Sequence, residues 1–321
     1  MKAMCYYIMW NNRSKQKTTK KLLAMKKILI AIVLMAMAVT TVRAAHGAPN
    51  YPLPQNPDTL RILGVGNSFT DDGMMYLPYL LQAAGIKNVV LGRLYIGGCT
   101  LERQVREYEN NNPAYVYTKS VNNKWTTVSK NATMLDGLLD EKWDILVVQQ
   151  ASGVSGKYES YQPWLDRLIE ILRFNCRNAG ATIAWQQTWA YSTDSNHPEY
   201  PNYEQNQLVM YKDIMECNEQ LLDDTPIDVV IPTGTAIQNL RTAMQDARDF
   251  TRDGYHLNYK MGRYTAACTW FQALIAPVFR TTIEGNASRL KGSSQALTDA
   301  EALACHLAAR RACARRFKVW K

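Results

Sequence analysis

Between residues 59 and 275 the chain alternates short, unbroken apolar runs with longer stretches whose apolar residues recur at helical spacing. The runs are 61–66, 88–96, 143–148, 181–185 and 227–231; the helical stretches are 74–85, 101–108, 161–178, 203–222 and 262–275. A continuously apolar strand must be covered on both faces, and strands joined through helices lie parallel. The pattern predicts a three-layer α/β/α sandwich around a five-stranded parallel sheet. Segments 115–118 and 125–128 flank Asn122-Asn123 and read as a hairpin inserted before the third unit.

Either side of this core the composition changes. Residues 1–44 hold nine Lys/Arg and no Asp or Glu. Met25-Lys26-Lys27 precedes an uncharged run, residues 28–39, and then the small residues around Ala44-Ala45. A basic start, an apolar stretch too short to span a bilayer and a small-residue exit predict a secretory signal peptide, with Met25 as the expected initiator. The mature chain is then expected to be secreted or periplasmic, without a transmembrane span. Residues 45–58 read as a linker and 59–279 as the α/β domain. Residues 280–321 read as a helical extension, opened by the capping box Thr298-Asp299-Ala300-Glu301.

Charge excludes one class of partner. The net charge of +9 comes from the leader; beyond residue 44 there are 28 basic and 28 acidic residues. That balance leaves no broad footprint for a nucleic acid. Six of the seven cysteines lie beyond the leader, scattered, with no Cys/His cluster at zinc spacing. They read as buried small hydrophobes, and no metal site is expected.

Parallel α/β sheets bind ligands beyond the carboxyl ends of their strands. Four candidate groups stand there. Ser68 follows the first strand and opens a helix, where its hydroxyl would face the crevice and its N–H would join the positive helix end. Gly97-Gly98 follows the second strand and allows a bare backbone N–H near a ligand. Gln149 and Gln150 follow the most apolar strand, where buried amides need partners or a role. Asp253, three residues before His256, can hold that imidazole through Nδ1 while Nε2 faces a nucleophile. Asp194 and His197 repeat this spacing, but their Asn/Ser/Pro setting predicts an exposed loop, so His256 is preferred. Trp185, Trp189 and Tyr191 continue the fourth strand and offer flat amphipathic faces suited to sugar rings. No carboxylate pair of the glycosidase kind stands out, and residues 64–66 lack the pattern of a phosphate-binding loop.

Taken in order, Gly66-Asn67-Ser68, Gly98, Gln149-Gln150 and Asp253-x-x-His256 resemble the sequence blocks of the SGNH (GDSL-like) hydrolases. The likeness runs from about residue 61 to 275 and is to an exported bacteroidal-type branch whose first block reads Gly-Asn-Ser. It implies a flavodoxin-like sheet and a serine esterase that uses no cofactor. Ser68 would be the nucleophile, His256 its base and Asp253 the orienting acid. The oxyanion donors would be the N–H groups of Ser68 and Gly98 and the amide of Gln149 or Gln150. Asn67, Trp185, Trp189 and Tyr191 are the expected substrate contacts. Two departures stand out: Asn67 where the family has Asp, and Gln-Gln in place of Gly-x-Asn-Asp. The implied substrate is an acetylated glycan or small ester; the rival readings are a non-catalytic carbohydrate-binding protein and an acyl-chain lipase or thioesterase.

Overall fold

The computed structural model describes residues 53–54 and 57–320. Residues 1–44, where a signal peptide is expected, and most of the expected 45–58 linker lie outside the described residues. Among the described residues seven strands form one sheet: β1 (Leu60–Gly66), β2 (Val89–Tyr95), β3 (Tyr115–Val121), β4 (Lys124–Ala132), β5 (Ile145–Val148), β6 (Thr182–Gln186) and β7 (Val229–Ile231). Their order is β4-β3-β2-β1-β5-β6-β7. The β2-β1-β5-β6-β7 part is parallel throughout, in the flavodoxin-like order.

The sheet therefore has seven strands, not five. The hairpin at Asn122-Asn123, both residues with positive φ, does form, but it does not stand apart from the sheet. β3 pairs antiparallel with β2, and β4 with β3. Its addition supplies hydrogen-bond partners for the outer edge of β2 and leaves as the new edge the polar, lysine-bearing β4, a composition that discourages further pairing.

Among the described residues nine α-helices complete the layers: α1 (Ser68–Met74), α2 (Leu77–Ala83), α3 (Leu101–Glu109), α4 (Met134–Asp140), α5 (Trp164–Asn175), α6 (Gln207–Asp224), α7 (Thr233–Ala243), α8 (Met261–Trp270) and α9 (Asp299–Ala314). The helix expected over 74–85 is α2, which starts three residues later with Pro78 in its first turn; the helix expected to open at Ser68 is α1. Two helices were not expected. α4 is seven residues with a central glycine, and α7 opens on the weak helix formers Thr-Gly-Thr.

Alternate residues of the strands feed opposite cores. Leu60, Ile62, Leu91, Ile145 and Val147 pack with α2, α8 and α9. Leu63, Val65, Leu94, Leu146 and Val148 pack with α3, α4 and α5. Each fully buried aliphatic side chain contributes about 1.5–3 kcal/mol relative to exposure. A third cluster, including Phe69, Trp189, Tyr191, Tyr200 and Tyr203, lies among segments that follow the carboxyl ends of the strands.

The segment read as an extension is integral to one of these cores. Ala302, Cys305 and Ala309 of α9 are buried in it. Lys260 Nζ donates to Glu301 at 2.6 Å, and His306 Nε2 meets the Tyr264 hydroxyl at 3.0 Å. Its capping box forms as expected. Among the described residues no helix is long and apolar enough to cross a membrane.

Candidate active site

β1 delivers the chain into Asn67, which caps α1 by accepting from the Phe69 N–H at 3.0 Å. Ser68 is thus the first helical residue, and its N–H has no intrahelical acceptor. Its hydroxyl oxygen lies 2.8 Å from His256 Nε2, and His256 Nδ1 lies 2.6 Å from Asp253 Oδ2. Asp253 also accepts the His256 N–H at 2.8 Å, so one carboxylate fixes both ring and backbone. Burial pushes the Asp253 carboxyl up, but the hydrogen bonds and charge of His256 outweigh it and hold the group below its ordinary range. Residues 188 positions apart in sequence therefore share one hydrogen-bonded line.

A cleft of about 260 Å³ opens on this line. Its walls come from the segments after β1, β2, β5 and β6 and from the loop before α8: Ser68, Gly98, Ser152, His197, Tyr255 and His256 are among them. Gly98 has φ +60° and open space where a Cβ would be. Its N–H has no partner among the described residues. The neighbouring Cys99 is buried, and burial pushes its thiol up to about 12, so it offers no competing nucleophile.

Asn67 ties these parts together. Besides capping α1, its Nδ2 donates to the Cys99 carbonyl at 3.0 Å. One amide thus braces the serine segment against the glycine segment. An aspartate could accept the capping bond but could not donate to a carbonyl, which gives a physical reason for Asn where Asp was the family expectation.

The two glutamines do not face the cleft. Gln149 donates to Asn67 Oδ1 and accepts from the Thr70 hydroxyl, inside the Ser68 segment. Gln150 accepts from the Leu101 and Ala151 N–H groups and donates to Ser160. Both are buried and bonded inside the fold, so the expectation that one of them presents a donor to substrate is not met by the geometry. Trp185, Trp189 and Tyr191 are also placed elsewhere. Trp185 is buried with its Nε1 on Asn218; Trp189 stacks on Phe69 at 4.0 Å; and Tyr191 bonds Ser152 from below. Trp189 and Tyr191 belong to the aromatic cluster around Phe69, and Trp185 to the core on one face of the sheet. Trp189 Nε1 donates to the Tyr255 carbonyl at 2.7 Å, which makes it a brace for the His256 loop. The aromatic residues on the cleft wall are Phe69, Tyr95 and Tyr255.

Behind the line stands an ion network that sequence reasoning missed. Asp72 of α1, fully buried, accepts from Arg263 at 2.6 Å, Arg252 at 3.1 Å and the Leu257 N–H at 2.8 Å. Asp71 pairs with Arg93 and Arg263. The serine helix is thereby fastened to the histidine loop. The available signal was two consecutive acids just after the serine, with arginines near His256 in a charge-balanced domain. His197 lies in a loop whose residues Asp194, Asn196 and Pro198 are exposed, as expected, but its half-buried ring lines the cleft. Asp194, at the matching spacing, bonds Ser192 and Arg248 instead of its ring.

Fold and site together define an α/β protein with a serine, a histidine and an aspartate aligned at the carboxyl edge of its sheet. The family model described as "Domain of unknown function (DUF4886)" matches residues 61–303, and the chain belongs to that family. It is similar to the crystal structure of a DUF4886 family protein from Bacteroides uniformis, with 39% identity and a TM-score of 0.74, covering 82% of this chain and 98% of that one. A mutant of Axe2, an acetyl-xylooligosaccharide esterase from Geobacillus stearothermophilus, overlaps at 13% identity and a TM-score of 0.47, covering 71% of this chain and 100% of that one. At that level of overlap the second likeness decides nothing about activity. No curated protein sequence matches the chain.

Proposed function

We propose that the protein is a serine esterase of the SGNH type that removes short acyl groups, acetyl above all, from carbohydrates. The observation that carries this reading is the continuous Ser68–His256–Asp253 line, at 2.8 and 2.6 Å, opening on a cleft. Ser68 Oγ attacks the ester carbonyl carbon while its proton passes to His256 Nε2. The carbonyl oxygen becomes an oxyanion facing the N–H groups of Ser68 and Gly98, whose separation Asn67 sets. His256 returns the proton to the departing alcohol, leaving an acyl-serine. Water then repeats the sequence and releases the acid. Small residues around the nucleophile, Gly97, Gly98, Ala151 and Gly153, favour a short acyl group over a long chain. The basic, apolar and small-residue order of residues 25–45 supports export.

Ser68→Ala is expected to lower hydrolysis of p-nitrophenyl acetate at least about a thousandfold, and a fluorophosphonate should label Ser68 stoichiometrically in the parent. Hydrolysis at the parent rate by the variant would refute the proposal. A preference for octanoyl over acetyl esters would move the assignment to a lipase.

A further inference from the structure

The cleft holds a second histidine and a carboxylate that the reaction above leaves unused. His197 and Glu199, both after β6, line it together with Ser68 and His256. The Glu199 N–H donates to His197 Nδ1 at 3.2 Å. A neutral imidazole that accepts at Nδ1 carries its proton on Nε2. Burial pushes His197 below the ordinary imidazole value; Glu199 opposes this and His256 adds to it, so the ring is a neutral donor. Tyr191 and Tyr255 hold it with centroid distances of 4.6 and 4.7 Å.

Glu199 reaches the cleft by lying across Gly153. Any Cβ at position 153 would collide with its carboxylate. Among the described residues neither His197 Nε2 nor the Glu199 carboxylate has a hydrogen-bond partner; the carboxylate stands 4.0 Å from Nδ1. Nor does His197 serve as a second base, since Ser68 is already bonded to His256 and no carboxylate is hydrogen-bonded to the His197 ring.

We propose that His197 and Glu199 form a hydroxyl-recognition subsite that selects esters of polyols and sugars: His197 Nε2–H donates to one hydroxyl oxygen of the alcohol and the Glu199 carboxylate accepts from a neighbouring hydroxyl. An ammonium group would satisfy the carboxylate but not the imidazole donor, whereas adjacent hydroxyls satisfy both. An alcohol lacking hydroxyls would leave the His197 donor, 18% exposed, without a partner, while the Glu199 carboxylate, 46% exposed, keeps its water, so the discrimination falls mainly on His197. The inference rests on the esterase reading of the same site and specifies its alcohol side.

The test compares glycerol monoacetate with propyl acetate, which has the same chain length and no free hydroxyl. The parent is expected to favour the glycerol ester by about tenfold or more in kcat/KM. In His197→Phe, which keeps a ring between the two tyrosines, and in Glu199→Ala, that ratio should fall towards one. Glu199→Gln, which keeps an acceptor, should retain part of it. Fluorophosphonate labelling of Ser68 reports that each variant is folded. A parent ratio near one, or variants that hold the parent ratio, would overturn the subsite alone. Hydrolysis of neither ester, with Ser68 unlabelled, would overturn the esterase reading and the subsite with it.

Discussion

Asn67 carries two hydrogen-bonding duties that no other small residue combines: an oxygen that caps α1 and an N–H that reaches the Cys99 carbonyl. Asn67→Asp keeps the first and replaces the second with carboxylate–carbonyl repulsion. The two backbone donors should then part, and a donor of this kind is worth roughly a hundredfold or more in rate. We expect kcat to fall by about 10–100-fold with KM changed far less, measured on p-nitrophenyl acetate; an unchanged kcat would remove Asn67 from the positioning role. From sequence, Ser68, His256 and Asp253 could be singled out because their neighbours in the chain are also their motif. The glutamines were misread for the opposite reason. Two polar residues after a buried strand must have partners, and whether these are substrate or protein depends on Asn67, Thr70, Leu101 and Ser160, which their own segment does not contain.

At the scale of elements, α1 and the loop before α8 are held by Asp72. Removing one partner of a buried charge cluster leaves the others uncompensated, at a cost of about 3–5 kcal/mol. Asp72→Ala should therefore lower the unfolding free energy by that order in urea titrations, with Arg252 and Arg263 left facing an empty site; a loss below about 1 kcal/mol would show the network to be dispensable. α9 carries a second device. Burial, with Arg289 nearby, pushes His306 down to about 4 from its ordinary 6.5. The unfolded chain takes up this proton as pH falls through 6.5, while the native chain does so only near 4. Stability from this group is thus full above 6.5 and is lost towards 4, by roughly 3 kcal/mol. His306→Phe should flatten the dependence of Tm on pH across that interval; an unaltered slope would exclude His306 as its source. Elements with strong periodicity, such as α5 and α6, were visible in the sequence. α7 was not, because its buried positions include Thr233, Thr235, Gln238 and Asn239, so its covered face does not show as an apolar period.

Across the whole molecule, the C-terminal segment belongs to the same compact unit as the sheet. Truncation before Thr298 would expose the α8 and α7 surfaces that Ala302, Cys305 and Ala309 cover. Such a protein is expected to aggregate or to lose its cooperative melt in calorimetry; a truncated chain melting with the parent enthalpy would restore it to the status of an appendage. Sequence alone pointed to the class of architecture and to Ser68, His256 and Asp253, the three side chains that the fold aligns. Apolar runs and their spacing act locally, and a motif is carried by contiguous residues. Tertiary structure alone decided that the hairpin joins the sheet, that the aromatic residues after β6 support the crevice floor instead of facing substrate, and that His197 and Glu199 reach the same cleft as Ser68. Each of those outcomes turns on which distant surfaces meet, and burial of a side chain is a property of the surface opposite it.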